Sequence, residues 1–144
     1  MRTFSALRRF CAALTLAAVE VPAADASELE AVKPVFQHGI PNIPGKSLIA
    51  VIVSYPPGGK SGPHRHAKSA FIYAHVLTGA IRSAVGNESP KVYQAGESFY
   101  EEPGAHHTVS ENASATESAS LLAVFIVDAE DQPLTKRDQN SEAR

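Results

Sequence analysis

Two pairs of histidines are the candidate functional residues of this chain. His64 and His66 flank a single arginine, His106 and His107 are adjacent, and each pair follows a stretch rich in glycine and proline. Because side chains alternate along a β-strand, His64 and His66 would point to the same face, about 6–7 Å apart along it. Two imidazoles so placed can share a metal ion, and a histidine from a neighbouring strand would complete a three-nitrogen site.

The expected cofactor is a divalent transition metal, one of Fe, Mn, Ni, Cu or Zn, because imidazole nitrogen binds ions of this class. Three neutral imidazoles would leave the ion its full charge and open positions for water or substrate. Such a site can act as a Lewis acid, lower the pKa of bound water, or bind an oxygen-donor substrate together with O2. Since histidine binds metal only when deprotonated, we expect the affinity to fall as the pH drops through about 6.5.

Two glutamates come just before the second histidine pair. Glu101 and Glu102 are candidate catalytic residues, because a carboxylate near His107 could act as a general base or hydrogen-bond a ligand histidine. Adjacent acids beside a turn are also commonly solvated, and that alternative stays open. His75 stands in an apolar run, where a core or interface role competes with a role as a further ligand.

The first 26 residues have the composition of a secretory signal peptide. Arg2, Arg8 and Arg9 precede an apolar run at 10–19 that is too short to span a bilayer, and small residues just before Ser27 supply a cleavage site. We therefore expect an exported, periplasmic protein whose mature chain begins at residue 27.

The composition excludes several classes of partner. The formal net charge is −2 and no basic cluster stands out, so neither nucleic acid nor an anionic membrane is expected to bind. The single cysteine, Cys11, lies in the leader, so the mature chain has no disulfide and no thiolate ligand. A domain of about 120 residues can bury roughly two thirds of its unfolded surface, which is enough to fold without disulfides. The expected partner is a small-molecule ligand or substrate.

Short apolar and β-branched runs between glycine- and proline-rich turns predict one all-β domain, a sandwich or barrel. The predicted strands are 47–55, 70–77, 80–85, 91–94, 98–101, 106–110 and 120–127. The run at 120–127 is almost continuously apolar, which predicts a central strand.

The expected domain boundaries follow from these strands. We place the barrel at 46–128 and a loose C-terminal tail at 129–144, since the tail has little to bury. The segment 27–45 contains three prolines and is expected to be irregular or an edge strand, with a short helix near 29–32 as an option.

Two stretches resemble the paired motifs of the cupin superfamily. The stretch GGKSGPHRH from Gly58, followed by an apolar run up to Gly79, resembles the first motif. The stretch GESFYEEPGAHH from Gly96, with Asn112 shortly after it, resembles the second. The resemblance covers 46–127 and implies a small jelly-roll barrel, or double-stranded β-helix, that holds a divalent metal near its mouth.

Carried over by position, the resemblance implies that His64, His66 and His107 are the metal ligands. His107 matches because it stands three residues after Gly104. His106, one place earlier, should point away on a regular strand and is the alternative.

The chain departs from the family pattern at the first motif. That motif usually supplies a glutamate four or five residues after its second histidine, where this chain has Ala70 and Phe71, which cannot bind metal. The site is therefore reduced to three histidines unless Glu101, Glu102 or His75 supplies a fourth ligand.

The strand register in this region stays open at the level of sequence, because Gly79 falls one residue late for the motif. Counting from His66 groups Phe71, Tyr73 and His75 on one face. Counting back from the glycine instead places on the ligand face Ile72, Ala74 and Val76.

Three functions are compatible with these features. The first is a metal-dependent, dioxygenase-like oxidoreductase acting on a small oxygen-rich molecule, with lyase or isomerase chemistry as a variant. The second is a non-catalytic cupin that binds a small molecule or a metal, which the missing motif glutamate favours. The third is a structural domain whose metal site has decayed. Pairing of two barrels into a homodimer is an expectation that comes from the family.

Overall fold

The structure, a computed structural model, describes residues 30–139. The predicted signal peptide, 1–26, lies outside the described residues. From residue 30 to 139 the chain is all-β, as predicted, and it contains no helix in that range. The optional helix near 29–32 is not formed, because a strand already begins at Ala31. Within the same range no helix is long and apolar enough to cross a membrane.

The strands form two sheets. In chain order they are β1 (Ala31–Gly39), β2 (Lys46–Tyr55), β3 (Lys60–Ser61), β4 (His64–His66), β5 (Phe71–Thr78), β6 (Ala80–Val85), β7 (Lys91–Gln94), β8 (Ser98–Glu101), β9 (His106–Asn112), β10 (Ala119–Asp128) and β11 (Thr135–Arg137). The first sheet has the order β1-β2-β10-β5-β8, and the second has the order β11-β4-β9-β6-β7 with β3 beside β9. The seven predicted strands are all present, with ends that differ by at most two residues.

The central position predicted for the run at 120–127 is confirmed. The corresponding strand β10 pairs with β2 on one side and with β5 on the other, antiparallel in both cases. Its side chains alternate between fully buried and half-buried along nine residues, so both of its faces are covered at least in part. A strand with neighbours on both sides satisfies its backbone within the sheet, and a nearly continuous apolar run suits that position.

The two sheets enclose one hydrophobic core. Most of its buried side chains come from the inward faces of β2, β5 and β10, and Ile81 of β6 contributes from the opposite sheet. Jelly-roll barrels close a core between two such sheets. The inward face of the first sheet therefore forms one wall of the space into which the histidines project.

The register of β5 decides which residues face the histidines. Ile72, Ala74 and Val76 are buried, whereas Phe71 and Tyr73 are exposed. The register counted back from Gly79 is therefore the observed one. Counting on from His66 fails because residues 67–70 form a turn, in which the Ala70 amide donates to the Ala67 carbonyl at 3.0 Å.

Gly79 makes the tight connection between β5 and β6. It has a positive φ of 66°, and a Cβ built there would lie 2.6 Å from the Ser118 carbonyl oxygen. Only glycine meets both conditions, because a side chain would clash and the left-handed backbone is costly for other residues. This turn at Gly79 fixes the register of β5, in which Ile72, Ala74 and Val76 face inward.

The chain ends on both sides of the barrel are more ordered than predicted. Within the segment 27–45, β1 is an edge strand on β2, with a bulge between Pro34 and Phe36. Proline is tolerated at such a position because an edge strand does not need every amide hydrogen.

The expectation of a loose tail is wrong for residues 135–137, which form β11 on the edge of β4. Backbone hydrogen bonds, which composition does not reveal, hold this strand in place. The Ala67 amide donates to the Leu134 carbonyl at 3.0 Å, and the Asp138 amide donates to the Pro63 carbonyl at 3.0 Å.

Candidate metal centre

Two neighbouring strands bring three histidines together. His64 and His66 point inward from β4, and His107 lies opposite His64 on β9. All three side chains are buried, and one ring nitrogen of each lies within 4.8 Å of those of the other two. Arg65, between the first two, is exposed, as strand alternation requires. The three residues implied by the motifs therefore share one site.

His106 takes no part in this cluster. Its Nε2 atom lies 2.8 Å from the Asp138 Oδ2 atom, on the C-terminal side of β11. Adjacent strand residues point to opposite faces, so only one histidine of the pair can face the interior. That residue is His107, and His106 instead helps to attach the C-terminal segment.

Backbone carbonyls determine which ring nitrogen carries the proton in two of the three histidines. The Nδ1 atom of His64 lies 2.8 Å from the Gly62 carbonyl oxygen, and that of His66 lies 3.3 Å from the Leu134 carbonyl oxygen. A carbonyl can only accept a hydrogen bond, so each Nδ1 is the donor. The Nε2 atoms then keep their lone pairs, which is the form that binds a metal.

Glu101 joins the cluster from the end of β8. Its side chain is 4% exposed, with Oε2 lying 3.2 Å from His66 Nε2 and Oε1 lying 3.2 Å from His107 Nδ1. The other candidates for a fourth ligand lie elsewhere. Glu102 is exposed beside it, and His75 is on the outer face of β5.

Burial and mutual contacts set the charge of these groups. Burial, together with the smaller effect of the neighbouring His107 and His66 rings, lowers the pKa of His64 to about 4, although the hydrogen bond to the Gly62 carbonyl opposes this. Burial alone would raise the pKa of Glu101, but its contacts with His107 and His66 outweigh burial and lower that pKa to about 2. At neutral pH the site therefore contains a neutral His64 and an ionised Glu101.

The donor set fits a divalent transition metal. The atoms His66 Nε2 and Glu101 Oε2 are buried and have no hydrogen-bond partner. Leaving such groups unpaired costs roughly 1–3 kcal/mol each. Two lone pairs that face each other are satisfied either by a second proton on His66 or by a cation bound to both atoms. A site of imidazole and carboxylate ligands is suited to such a cation.

Three groups that contact the site were not identified from the sequence. The Ser83 hydroxyl on β6 shares a 2.8 Å hydrogen bond with His107 Nε2. The Leu134 carbonyl and the Thr135 hydroxyl both lie 3.3 Å from His66 Nδ1. A lone serine and a backbone carbonyl in the tail have no sequence signature, and only their positions in the fold reveal a role.

The cluster lies at the wall of a cavity of about 390 Å³. Apart from the cluster, the walls are mostly apolar, including Val53, Leu121 and Phe125. Phe125 packs edge-on against the His66 ring, with ring centroids 5.6 Å apart. The volume suits a small ligand, and the polar atoms are concentrated where a metal would be held.

A second polar group faces the same cavity. The Tyr55 hydroxyl shares hydrogen bonds of 2.7 Å with Ser61 and 2.8 Å with Ser110. Burial raises the pKa of Tyr55, and the two serine hydrogen bonds only partly offset this effect. The phenol therefore stays protonated at neutral pH, and it donates its hydrogen to Ser61, because the Ser61 hydroxyl itself donates to Glu30.

The profile of the cupin domain family matches residues 51–125, just over half of the 144-residue chain. The chain belongs to the cupin family. The matched range contains all three buried histidines and Glu101. None of the curated proteins matches this cupin.

Solved structures share the fold. The structure of recombinant oxalate oxidase in complex with glycolate is similar over 80% of this cupin and 59% of its own chain, with 22% identity and a TM-score of 0.59. DMSP lyase DddQ from Ruegeria pomeroyi is similar over 85% of this cupin and 57% of its own chain, with 20% identity and a TM-score of 0.63. This cupin thus spans about three fifths of the length of these two proteins.

A protein of nearer size has the same fold. It is an uncharacterised conserved protein from Klebsiella pneumoniae with a double-stranded β-helix domain, covered over 100% of its length at 16% identity and a TM-score of 0.60. These likenesses show the predicted all-β double-stranded β-helix.

Proposed function

We propose that this cupin is a metal-dependent enzyme of the oxygenase type that acts on a small molecule with oxygen donor atoms. One observation carries the proposal: three buried histidines converge at the wall of an otherwise apolar cavity of about 390 Å³. Such a cavity can bind a ligand beside the ion while excluding bulk water.

His64, His66 and His107 would hold the metal, which when bound supplies a Lewis acid and open positions for oxygen donors. The protein residues around it have separate tasks. The Gly62 and Leu134 carbonyls orient the rings of His64 and His66. The apolar walls keep the site dry, which strengthens every electrostatic interaction within it.

The shape of the cavity indicates the kind of substrate. Oxygen atoms of the substrate would face the histidines, and an apolar body would contact Val53 and Leu121. Support also comes from oxalate oxidase, a protein of similar structure that has been described in complex with the substrate analogue glycolate, a small oxygen-rich molecule.

The test is oxygen uptake by the protein loaded in turn with Fe, Mn, Ni or Cu, using a panel of small diketones, catechols and 2-hydroxy acids. We expect at least one combination of metal and substrate to consume oxygen. The His64→Ala/His66→Ala/His107→Ala variant, treated identically, should consume none. If no combination consumes oxygen while substrate loss or rearrangement is detected, the enzyme is a lyase or isomerase.

A non-catalytic binding protein is the second candidate. It is favoured by the position of Glu101, which contacts two histidine rings and is therefore not free to transfer a substrate proton. This function predicts stabilisation by a ligand without turnover, about 2.7 kcal/mol at a hundredfold excess over the dissociation constant. Turnover of any stabilising ligand contradicts it.

We also propose that the protein acts after export, as a periplasmic protein. The support is the basic and apolar composition of its first 26 residues. Mass spectrometry of the full-length gene product should find a mature chain that starts at Ser27 in the periplasmic fraction. A full-length product that stays in the cytoplasm contradicts this proposal.

A further inference from the structure

We propose that Glu101 is the fourth protein ligand of the metal, supplied by β8 in place of the carboxylate that β5 lacks. The proposal rests on the metal site of the proposed function, but it does not depend on catalysis. It assigns to this residue a direct bond to the ion rather than a supporting contact with the histidines.

The strand pairing puts Glu101 in the right wall of the cavity. Its direct partner on β5 is Ile72, which is buried and faces the same cavity. Ile72 has no donor atom, and neither have Ala70 and Phe71, where the first motif usually has its glutamate. The Glu101 carboxylate therefore enters the site from β8, the strand beside β5, at the position directly opposite Ile72.

The geometry of the contact with His66 favours a cation between the two residues. With its Nδ1 hydrogen donated to the Leu134 carbonyl, the neutral form of His66 presents an Nε2 lone pair to Glu101 Oε2 at 3.2 Å. Both of these buried atoms have no hydrogen-bond partner. An ion that binds both atoms removes the repulsion between their lone pairs and satisfies each of them.

Charge balance leads to the same assignment. Glu101 is 4% exposed, and among the described residues its ion-pair partners are only His66 and His107, without any lysine or arginine. The nearby Arg137 is already paired with Glu30 at 2.6 Å. A buried carboxylate needs a positively charged partner, hydrogen-bond donors or a metal, and no lysine or arginine contacts this one. With this ligand the bound ion would keep a net charge of about +1 rather than +2.

The first test is Co²⁺ titration of the mature protein and of the Glu101→Gln variant, which keeps the size of the side chain. We expect binding at least about 100-fold weaker in the variant, which exceeds the roughly 10–100-fold loss typical of a residue that only supports a ligand. The visible absorption bands of bound Co²⁺ should also shift. Glu102→Gln, which makes the same change at an exposed neighbour, should bind Co²⁺ like the wild type. Equal affinity and identical bands in Glu101→Gln overturn the proposal.

A crystal structure of the wild-type protein with Zn²⁺ decides the question even if Glu101→Gln does not fold. A Glu101 oxygen at about 2.0–2.2 Å from the ion establishes the bond. An oxygen that instead hydrogen-bonds a ligand histidine, more than about 3 Å from the ion, overturns it. Neither the Co²⁺ titration nor the Zn²⁺ structure depends on turnover. If Glu101 binds the ion but the protein is inactive, the ligand assignment stands and only the proposed reaction is refuted.

Discussion

Two polar clusters of this cupin contain histidine but have opposite surroundings. In the inner cluster, His66 faces a carboxylate, and both facing atoms are buried without a hydrogen-bond partner. In the outer cluster, on the exposed face of the first sheet, His75 Nδ1 and the Tyr73 hydroxyl each lie 2.8 Å from the Ser98 hydroxyl. The outer groups satisfy one another and need no ion.

The difference shows that residue type alone does not define a metal site. His75 and Tyr73 lie on β5, the same strand that contributes Ile72 to the cavity wall, and only the alternation of the strand separates them. What distinguishes the inner cluster is burial together with lone pairs that point at one another. The outer cluster remains in contact with water, where an unpaired polar atom costs little.

The largest expected effect is loss of the metal from the inner cluster. The mature protein, purified without chelator, should contain stoichiometric transition metal, whereas His64→Ala/His66→Ala/His107→Ala should contain none, because all three imidazole ligands are gone. Elemental analysis measures both. A His38→Ala/His75→Ala variant, with histidines removed only outside the inner cluster, should keep its metal. Metal retained in the triple variant would show that the site lies elsewhere.

The second effect is the acid sensitivity of the metal-free protein. Burial lowers the pKa of His64 to about 4, below its ordinary value of 6.5. Between these two pH values His64 is therefore protonated in the unfolded chain but not in the folded chain. Stability should therefore fall as the pH drops from about 6.5 to about 4, by up to roughly 1.4 kcal/mol per pH unit from this group.

Urea unfolding of the chelator-treated protein across this pH range measures the slope. His64→Gln, which cannot take up a proton, should show a smaller slope in the same window. Equal slopes in the two proteins would mean that His64 is not the group responsible. His75, in the outer cluster, provides the matched control through His75→Gln.

A smaller effect is expected at Ser83, which hydrogen-bonds His107 from β6. Ser83→Ala should weaken metal binding by roughly 10–100-fold, because the ring loses the partner that orients it. Competition with a chromophoric chelator measures the change. Ser98→Ala removes the equivalent hydroxyl from the outer cluster and should leave the affinity unchanged. Equal affinity in Ser83→Ala and the wild type would show that the ring is held by packing alone.

The smallest effect is expected from breaking the outer cluster itself. His75→Ala and Tyr73→Phe change exposed polar contacts, so each should alter the free energy of unfolding by no more than about 0.5 kcal/mol. Thermal unfolding with and without added Zn²⁺ should show an unchanged metal-induced shift. A lost shift in either variant would mean that the outer cluster is coupled to the metal site.

Local patterns in the sequence were enough to predict seven of the strands, the all-β fold and the three inner histidines. Strand runs such as 120–127 are encoded by local patterns, and the spacing of His64 and His66 needs only strand alternation to bring both rings to one face. His107 could be chosen over His106 by the same alternation and the motif. These features depend on neighbours in the chain, so they are readable without the fold.

Only the tertiary structure decided the register of β5, the place of Glu101 and the role of the C-terminal strand. A turn at 67–70 shifts the alternation by one residue, and this shift places Ile72 rather than Phe71 inside. Glu101 and Glu102 are indistinguishable in sequence until pairing with β5 turns one of them inward. Likewise, Thr135 of β11 contacts His66 across a separation of 69 residues. Contacts between distant strands depend on how the sheets pair, which no local pattern encodes.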